Sequence, residues 1–416
     1  DLDDHADEPF SGLSAGVLSS SPGNLFFGAL DEDRDATVER LQRRGVTVFV
    51  TTSELRSPSG EKIPHLIHPH PRRAFETLCA WIAEQYSAKT IAVTGSVGKT
   101  STKEMLQLVC STTLRTLYSS GNHNGIAQVG RYVQKLTTKT QVYIQETGAA
   151  RPGAVESGAR MLHPDAFLIT NIGVNHIGNY GGSQEAILRD KASHDRYLPD
   201  DGVAFLNYDD SMLRELRLTH PIVSYAVENT DADYFADDIV EGDDRLTFTM
   251  VEARSGVRAD AVVHSVGRHN VANAVVAFAV GRWLGIPVES IVDGIARYRG
   301  EGLRQNLAEI GGRRVLVDCY NASELAIVST ADALQRLAVD EGGRRILVFA
   351  DIDDKLGDIT EEVHRRVGRR LIDEQNIDLF VCFGSHAAWA AEELRAGGRE
   401  VFATTDREEL HRFLAA

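Results

Sequence analysis

Seven consecutive residues, Thr94-Gly95-Ser96-Val97-Gly98-Lys99-Thr100, have the make-up of a loop that wraps phosphate. Glycines let the backbone curl until successive N–H groups face an anion, a helix amino terminus adds positive potential, and Lys99 can neutralise charge between the β- and γ-phosphates. The Thr100 hydroxyl can ligate Mg²⁺, and Gly95, Ser96, Gly98 and Ser101 complete the residues expected to touch nucleotide. The common form of this loop carries glycine where this chain has Val93, so it is a short variant. A plain glycine turn before a helix would look similar. Here, however, strand Ile91-Ala-Val93, loop, Lys-Thr and the helix-forming run Thr102-Lys-Glu-Met-Leu follow in the required order.

The loop alone implies a nucleoside triphosphate and nothing finer. Further polar residues stand where parallel strands should end: Glu146, the Thr170-Asn171-Ile172-Gly173 turn leading to His176, and Lys191 on a following helix. Each has a plain reading by itself, as a solvated carboxylate, an ordinary histidine and a surface cation. No Asn-Lys-x-Asp stretch reads guanine, which speaks against a GTPase.

Strands alternating with helices must position these residues, and at 416 residues the chain exceeds one ordinary core. We expect an α/β protein of three domains with clefts between them. Residues 1–86 read as a small α/β amino-terminal domain: Asn24-Leu-Phe-Phe is a strand, Ala36 to Arg44 a helix and Val46 to Thr51 a strand. Phe75, Leu78, Ile82 and Tyr86 form an apolar helical stripe, expected to be core packing. Residues 87–299 read as a central phosphate-loop ATPase domain on a mainly parallel sheet, with strands at Thr90–Val93, Gln141–Gln145, Ala166–Thr170 and Val203–Asn207. Residues 220–265 are β-rich and less regular, and Asn270–Leu284 is helical. After the glycines of Tyr298-Arg-Gly-Glu-Gly302, residues 300–416 read as a Rossmann-like carboxy-terminal domain with buried-type strands at Arg313–Val317, Arg345–Phe349 and Leu379–Phe383.

A hydrophobic content of 43% with 25% charged residues is that of a soluble globular protein without a membrane span. The net charge of −16 excludes general nucleic-acid binding, which needs a basic surface. Cys79, Cys110, Cys319 and Cys382 are widely spaced and read as reduced core residues. The opening Asp1-Leu-Asp-Asp has neither a basic leader nor an apolar core, so a cytoplasmic location is expected.

Taken together, these stretches closely resemble the Mur ligase family, which adds amino acids to the bacterial cell-wall precursor. The resembling residues are the loop extended to Lys103, Glu146-Thr-Gly148, Thr170 to His176, Lys191, Asn207-Tyr-Asp-Asp210, Gly267-Arg-His-Asn-Val-Ala-Asn273, Arg304, Asp318-Cys-Tyr-Asn-Ala322, and Asp351 with Leu356-Gly357. Within the family the match is best to the branch that joins D-alanyl-D-alanine to a UDP-MurNAc-tripeptide. The resemblance implies that Thr100 and Glu146 hold one Mg²⁺, and that His176 and a carbamate on Lys191 hold a second. It also implies that Asn273 meets adenine, Asp318 ribose and Arg304 the γ-phosphate of ATP. The last two would arrive only when the third domain swings inward, which would also exclude water from an acyl phosphate.

Departures from the family lie at substrate-reading positions. The usual Asp-Ser-Arg before Pro-Gly-x-Leu-Phe is absent from Val17-Leu-Ser-Ser-Ser-Pro22. The usual Asn-Pro-x-Ser is Ser323-Glu324-Leu325-Ala326, the acidic residue before Leu-Gly is Lys355, and the Gly-Asn-x-Asn-Asn segment is Gly121-Asn122-His123-Asn124-Gly125. The third domain is expected to lack its family closing stretch. We therefore expect an ATP-dependent ligase that joins a small-molecule carboxylate to an amine or amino acid, with catalytic weight on Lys99, Glu146, His176, Lys191 and Arg304, acting on a non-standard pair. The alternatives are the D-alanyl-D-alanine-adding activity itself and a nucleotide-binding partner without turnover.

Overall fold

Strand Lys89–Thr94 is apolar and buried from Thr90 onward, with Ile91 and Val93 facing one hydrophobic layer and Ala92 the other. That two-sided burial makes it the centre of a sheet covered by helices on both faces. In the computed structural model, which describes residues 10–28, 30, 34–300, 302–353 and 355–415, the sheet has nine strands. Their order is Thr116–Tyr118, Val142–Glu146, Lys89–Thr94, Ala166–Ile169, Val203–Asn207, Ile222–Ala226, Tyr234–Glu241, Leu246–Glu252 and Val257–Val263. The first seven are parallel, and the last two add antiparallel, which accounts for the irregular β-rich stretch. Lys89–Thr94 has strands later in the chain on both sides, so the phosphate loop leaves the sheet at a topological switch point.

Helix Lys99–Cys110 follows the loop and packs beside His269–Trp283, whose residues 274–281 are all buried. Helix Val288–Ala296 approaches Lys99–Cys110 so closely that a Cβ on Gly294 would lie 2.6 Å from the Val109 Cα.

A smaller parallel sheet, Gly12–Ser14, Asn24–Phe27, Val48–Thr51 and His65–Ile67, precedes this unit. The Gln134 side chain imitates a peptide group along its edge: Leu13 N–H donates to Oε1 at 2.5 Å and Nε2 donates to the Leu13 carbonyl at 2.9 Å. In helix Pro71–Glu84 the buried stripe runs through Phe75 and Cys79, while Leu78 is 38% exposed. Phe75, Ile82 and Tyr86 pack against the core as expected, and only Leu78 is corrected: Cys79, four residues from Phe75, lies closer to its face than Leu78 does. Cys319 is likewise exposed rather than core, whereas the other three cysteines are free and buried.

Beyond residue 300, Arg313–Val317 is not a buried parallel strand. It pairs antiparallel with Asn306–Ile310 across Gly311 and Gly312, whose φ values of +59° and +73° suit a tight hairpin turn. The parallel sheet there consists of Ile346–Ala350, Leu379–Phe383 and Val401–Thr404, flanked by helices Glu324–Arg336, Thr360–Leu371, Ala387–Ala396 and Arg407–Ala415. Among the described residues no helix is long and apolar enough to cross a membrane, and Asp1-Leu-Asp-Asp and Glu301 lie outside them.

Because the Gly294 contact is with backbone, which cannot rotate away, Gly294→Val should destabilise the protein by about 2 kcal/mol or more. Thermal unfolding checks this, and a Tm within about 1 °C of the parent would contradict the close helix approach.

Candidate functional site

The loop after Lys89–Thr94 holds a shape that only glycine permits. Gly95 has φ +147°, and a Cβ there would lie 1.8 Å from the Thr170 Oγ1. Gly98, at φ +85°, turns the chain into helix Lys99–Cys110. The turn after Ala166–Ile169 braces the loop: Ser96 N–H donates to the Asn171 carbonyl at 3.0 Å, Val97 N–H to Asn171 Oδ1 at 2.9 Å, and Thr170 Oγ1 to the Val97 carbonyl at 2.6 Å. Gly173 N–H donates to Ser96 Oγ at 2.8 Å. Lys99 Nζ folds back over the loop, donating to the carbonyls of Gly95 at 2.9 Å and Ser96 at 3.0 Å.

The loop forms one wall of a cavity of about 670 Å³. Thr100 and Ser101 line it, and opposite them stands Glu146, 1% exposed. Thr100 Oγ1 donates to Glu146 Oε2 at 2.9 Å, and Asn124 Nδ2 donates to Oε1 at 2.8 Å. His176 and Lys191 line the same cavity, the first in a left-handed conformation at φ +59° before the turn Ile177–Tyr180, the second ending helix Gln184–Lys191. Asn273 also lines it, its Oδ1 accepting from Thr102 Oγ1 at 2.7 Å.

Arg304 and Asp318, from beyond residue 300, face this cavity as well. The Arg304 guanidinium carbon sits 3.9 Å from the Tyr320 ring centroid, and Asp318 accepts from Thr330 Oγ1 at 2.5 Å. Ser329, on the same helix as Thr330, meets His269 Nδ1 at 3.1 Å across the join.

Two substituted positions lie elsewhere than expected. Lys355 does not line the cavity; its backbone carbonyl accepts from Gly178 N–H at 2.9 Å while its side chain is exposed. Glu324 is buried and held by the Arg366 guanidinium, Nε donating at 2.6 Å, so it braces two helices instead of reading an amine. Ser323, Leu325 and Ala326 do reach the cavity.

Three contributors escaped the sequence reading. Asn124 stands in the altered Gly121–Gly125 segment and orients Glu146. Tyr320 carries Arg304. His194, fully buried and stacked on Phe167 with ring centroids 5.3 Å apart, joins the Lys191 carbonyl at 3.1 Å to Thr147 Oγ1 at 3.3 Å. None has a spacing signature, because each acts on a site residue through an ordinary hydrogen bond or stack.

The donors fit a hard cation at one place. Thr100 and Glu146 offer oxygens within hydrogen-bond reach of each other in a buried corner, the chemistry Mg²⁺ prefers. A protonated Lys191 does not fit, since an ammonium offers no lone pair; only a carbamate on it would. Asp351, His364 and His386 also cluster, but His364 Nε2 already accepts from Ile352 N–H at 3.0 Å and Nδ1 donates to the Thr360 carbonyl at 2.7 Å. Asp351 instead accepts the N–H groups of His386 and Ala387 at the start of a helix.

Residues 93–281 match the Mur ligase middle domain, and residues 303–416 match the Mur ligase glutamate ligase domain. The UDP-N-acetylmuramoyl-tripeptide–D-alanyl-D-alanine ligase of Bacillus subtilis is 30% identical over 362 residues, covering 86% of this chain and 76% of that protein. The chain belongs to the Mur ligase family. The Escherichia coli ligase of the same name is 28% identical over 87% of this chain and 79% of its own length. A crystal structure of MurF from Acinetobacter baumannii superposes with a TM-score of 0.85 at 28% identity, covering 97% of this chain and 86% of that one. MurF from Thermotoga maritima in complex with ADP, at 20% identity and a TM-score of 0.79 over 97% of this chain and 90% of that one, shares the fold. As a Mur ligase the protein is an ATP-dependent enzyme that forms peptide bonds.

Burial pushes the His194 imidazole down from 6.5 to about 4. Below pH 6.5 the unfolded chain therefore takes up a proton that the folded one refuses, so stability is full above that pH and falls as pH drops toward 4. At about pH 5 the loss from this one residue is about 2 kcal/mol. His194→Gln should narrow the Tm difference between pH 7 and pH 5; an undiminished difference would mean that His194 titrates freely.

Proposed function

We propose that this Mur ligase joins D-alanyl-D-alanine to the terminal carboxylate of a UDP-MurNAc-tripeptide at the expense of ATP. The observation that carries the reading is the likeness, along most of its length, to the B. subtilis and E. coli ligases bearing that activity in their names. They favour it over the non-standard acid and amine pair expected from the substituted positions. The turn Val17–Ser19, which lacks the family arginine, receives a guanidinium from elsewhere: Arg44 donates to the carbonyls of Leu18 and Ser20 at 3.0 to 3.1 Å. A cytoplasmic location goes with this reading.

In this scheme residues 1–86 hold the acid substrate, 87–299 the nucleotide and 300–416 the incoming amine. The substrate carboxylate attacks the γ-phosphorus of ATP, ADP departs, and the amine then displaces phosphate from the acyl carbon. Lys99 exchanges the carbonyls of Gly95 and Ser96 for phosphate oxygens, meeting charge as it builds. The loop N–H groups and Ser96 and Ser101 cradle the phosphates, Asn273 lies toward the adenine, and Asp318 toward the ribose. Arg304, steadied by Tyr320, faces the γ-phosphate. Thr100 and Glu146 would hold Mg²⁺, with His176 and a carbamylated Lys191 at a second position. Bound Mg²⁺ supplies positive charge that makes the γ-phosphorus a better electrophile.

Lys99→Ala should lose about 3 kcal/mol or more of transition-state stabilisation, read as ADP release with both substrates present. Near-normal turnover would remove the loop from the chemistry. Lys191→Ala should be inactive and regain part of its rate with added small carboxylates, whereas full activity without them would make Lys191 a plain helix cation. The substrate assignment itself rests on kcat/KM with UDP-MurNAc-tripeptide and D-alanyl-D-alanine. A value above about 10⁴ M⁻¹s⁻¹ supports it. Turnover of a different acid and amine alone would restore the non-standard pair.

A further inference from the structure

Behind the cavity wall, Asp190 is 8% exposed and Tyr180 is 6% exposed, and the Tyr180 hydroxyl donates to Asp190 Oδ2 at 2.5 Å. Neither side chain lines the cavity, and Asp190 points away from the route Lys191 uses because successive positions on a helix point about 100° apart. Their placement is nevertheless pointed. Tyr180 ends the short turn that starts one residue after His176, and Asp190 immediately precedes Lys191 at the end of its helix. That bond ties the segment that carries His176 to the one that carries Lys191.

We infer that Tyr180 and Asp190 are positioning residues that fix the His176 and Lys191 segments against each other, and through them the geometry of the cation site. The inference rests on the proposed roles of those residues. The short bond is charge-assisted and shielded from water, which makes it stronger and more directional than a neutral pair. A second tie restrains the same turn, with Asn179 Nδ2 donating to the Ala150 carbonyl at 2.8 Å. Removing the Tyr180 hydroxyl leaves the turn anchored at Asn179 but free to rotate the His176 end. Removing the Asp190 charge weakens the same tie from the helix side.

The test is direct Mn²⁺ binding by the full-length protein in the presence of ADP, followed by the electron paramagnetic resonance signal of free Mn²⁺. Tyr180→Phe and Asp190→Asn should each weaken Mn²⁺ binding by about tenfold, the usual effect of removing an outer-shell support, and the double variant should be no worse than Asp190→Asn alone. ADP affinity measured without metal should stay within about twofold, since the phosphate loop is braced by Thr170 to Gly173 instead. Mn²⁺ binding at the parent level by folded Tyr180→Phe would overturn the inference, whatever its Tm; that variant removes one oxygen and keeps the ring, so it serves even where Asp190→Asn unfolds. His176→Ala and Lys191→Ala are measured alongside. If those two bind Mn²⁺ like the parent, the underlying site reading fails; if they lose it while Tyr180→Phe and Asp190→Asn do not, only the positioning role fails.

Discussion

The contact on which the site depends is the approach of Gly95 to Thr170, where there is no room for a single methyl group. Two adjacent parallel strands end there, and their loops exchange hydrogen bonds until neither can move alone. The backbone N–H groups of the phosphate loop are thereby aimed before any ligand arrives, so the ordering entropy is met during folding instead of during binding. Lys99 lies across the same loop, and helix Lys99–Cys110 is wedged from behind by Gly294. Rigidity at one end of one strand thus propagates to the cavity wall.

The sequence made the central sheet legible because its strands are buried on both faces and read as unbroken apolar runs between glycine turns. The phosphate loop was legible for a different reason, since its chemistry requires a fixed order of residue types over a short span. The segment beyond residue 300 was harder. Arg313–Val317 has the apolar content of a buried strand, yet the glycine pair before it folds it back into a hairpin, and hydrophobicity alone does not show which neighbour a strand takes. Glu324 and Lys355 were misplaced for a related reason. The Glu324 charge is answered by Arg366, far away in sequence, and the Lys355 side chain is exposed to solvent. The residues that orient a site are the least visible in a sequence, as Asn124, His194 and Tyr320 illustrate, because each does ordinary hydrogen-bonding or stacking in an extraordinary place.

The cavity is built from elements that meet from both sides. Arg304 and Asp318 come from beyond residue 300, while the phosphate loop and Glu146 come from the central sheet. The join carries polar contacts, Ser329 with His269, the Lys355 carbonyl with Gly178 N–H and Arg336 with Glu241, beside apolar ones that place Val266 in one buried cluster with Ala333 and Leu337.

Gln134 has a consequence for life in a crowded solution. A parallel sheet that ends in an open strand offers unpaired donors and acceptors to any extended chain that drifts past, and sheets joined in that way seed insoluble fibres. By offering its amide to both sides of Leu13, Gln134 spends one side chain to terminate that edge. The strand Gly12–Ser14 is thus closed to strangers by a residue more than a hundred positions away in sequence. The same amide also links the first sheet to the end of helix Ile126–Val133.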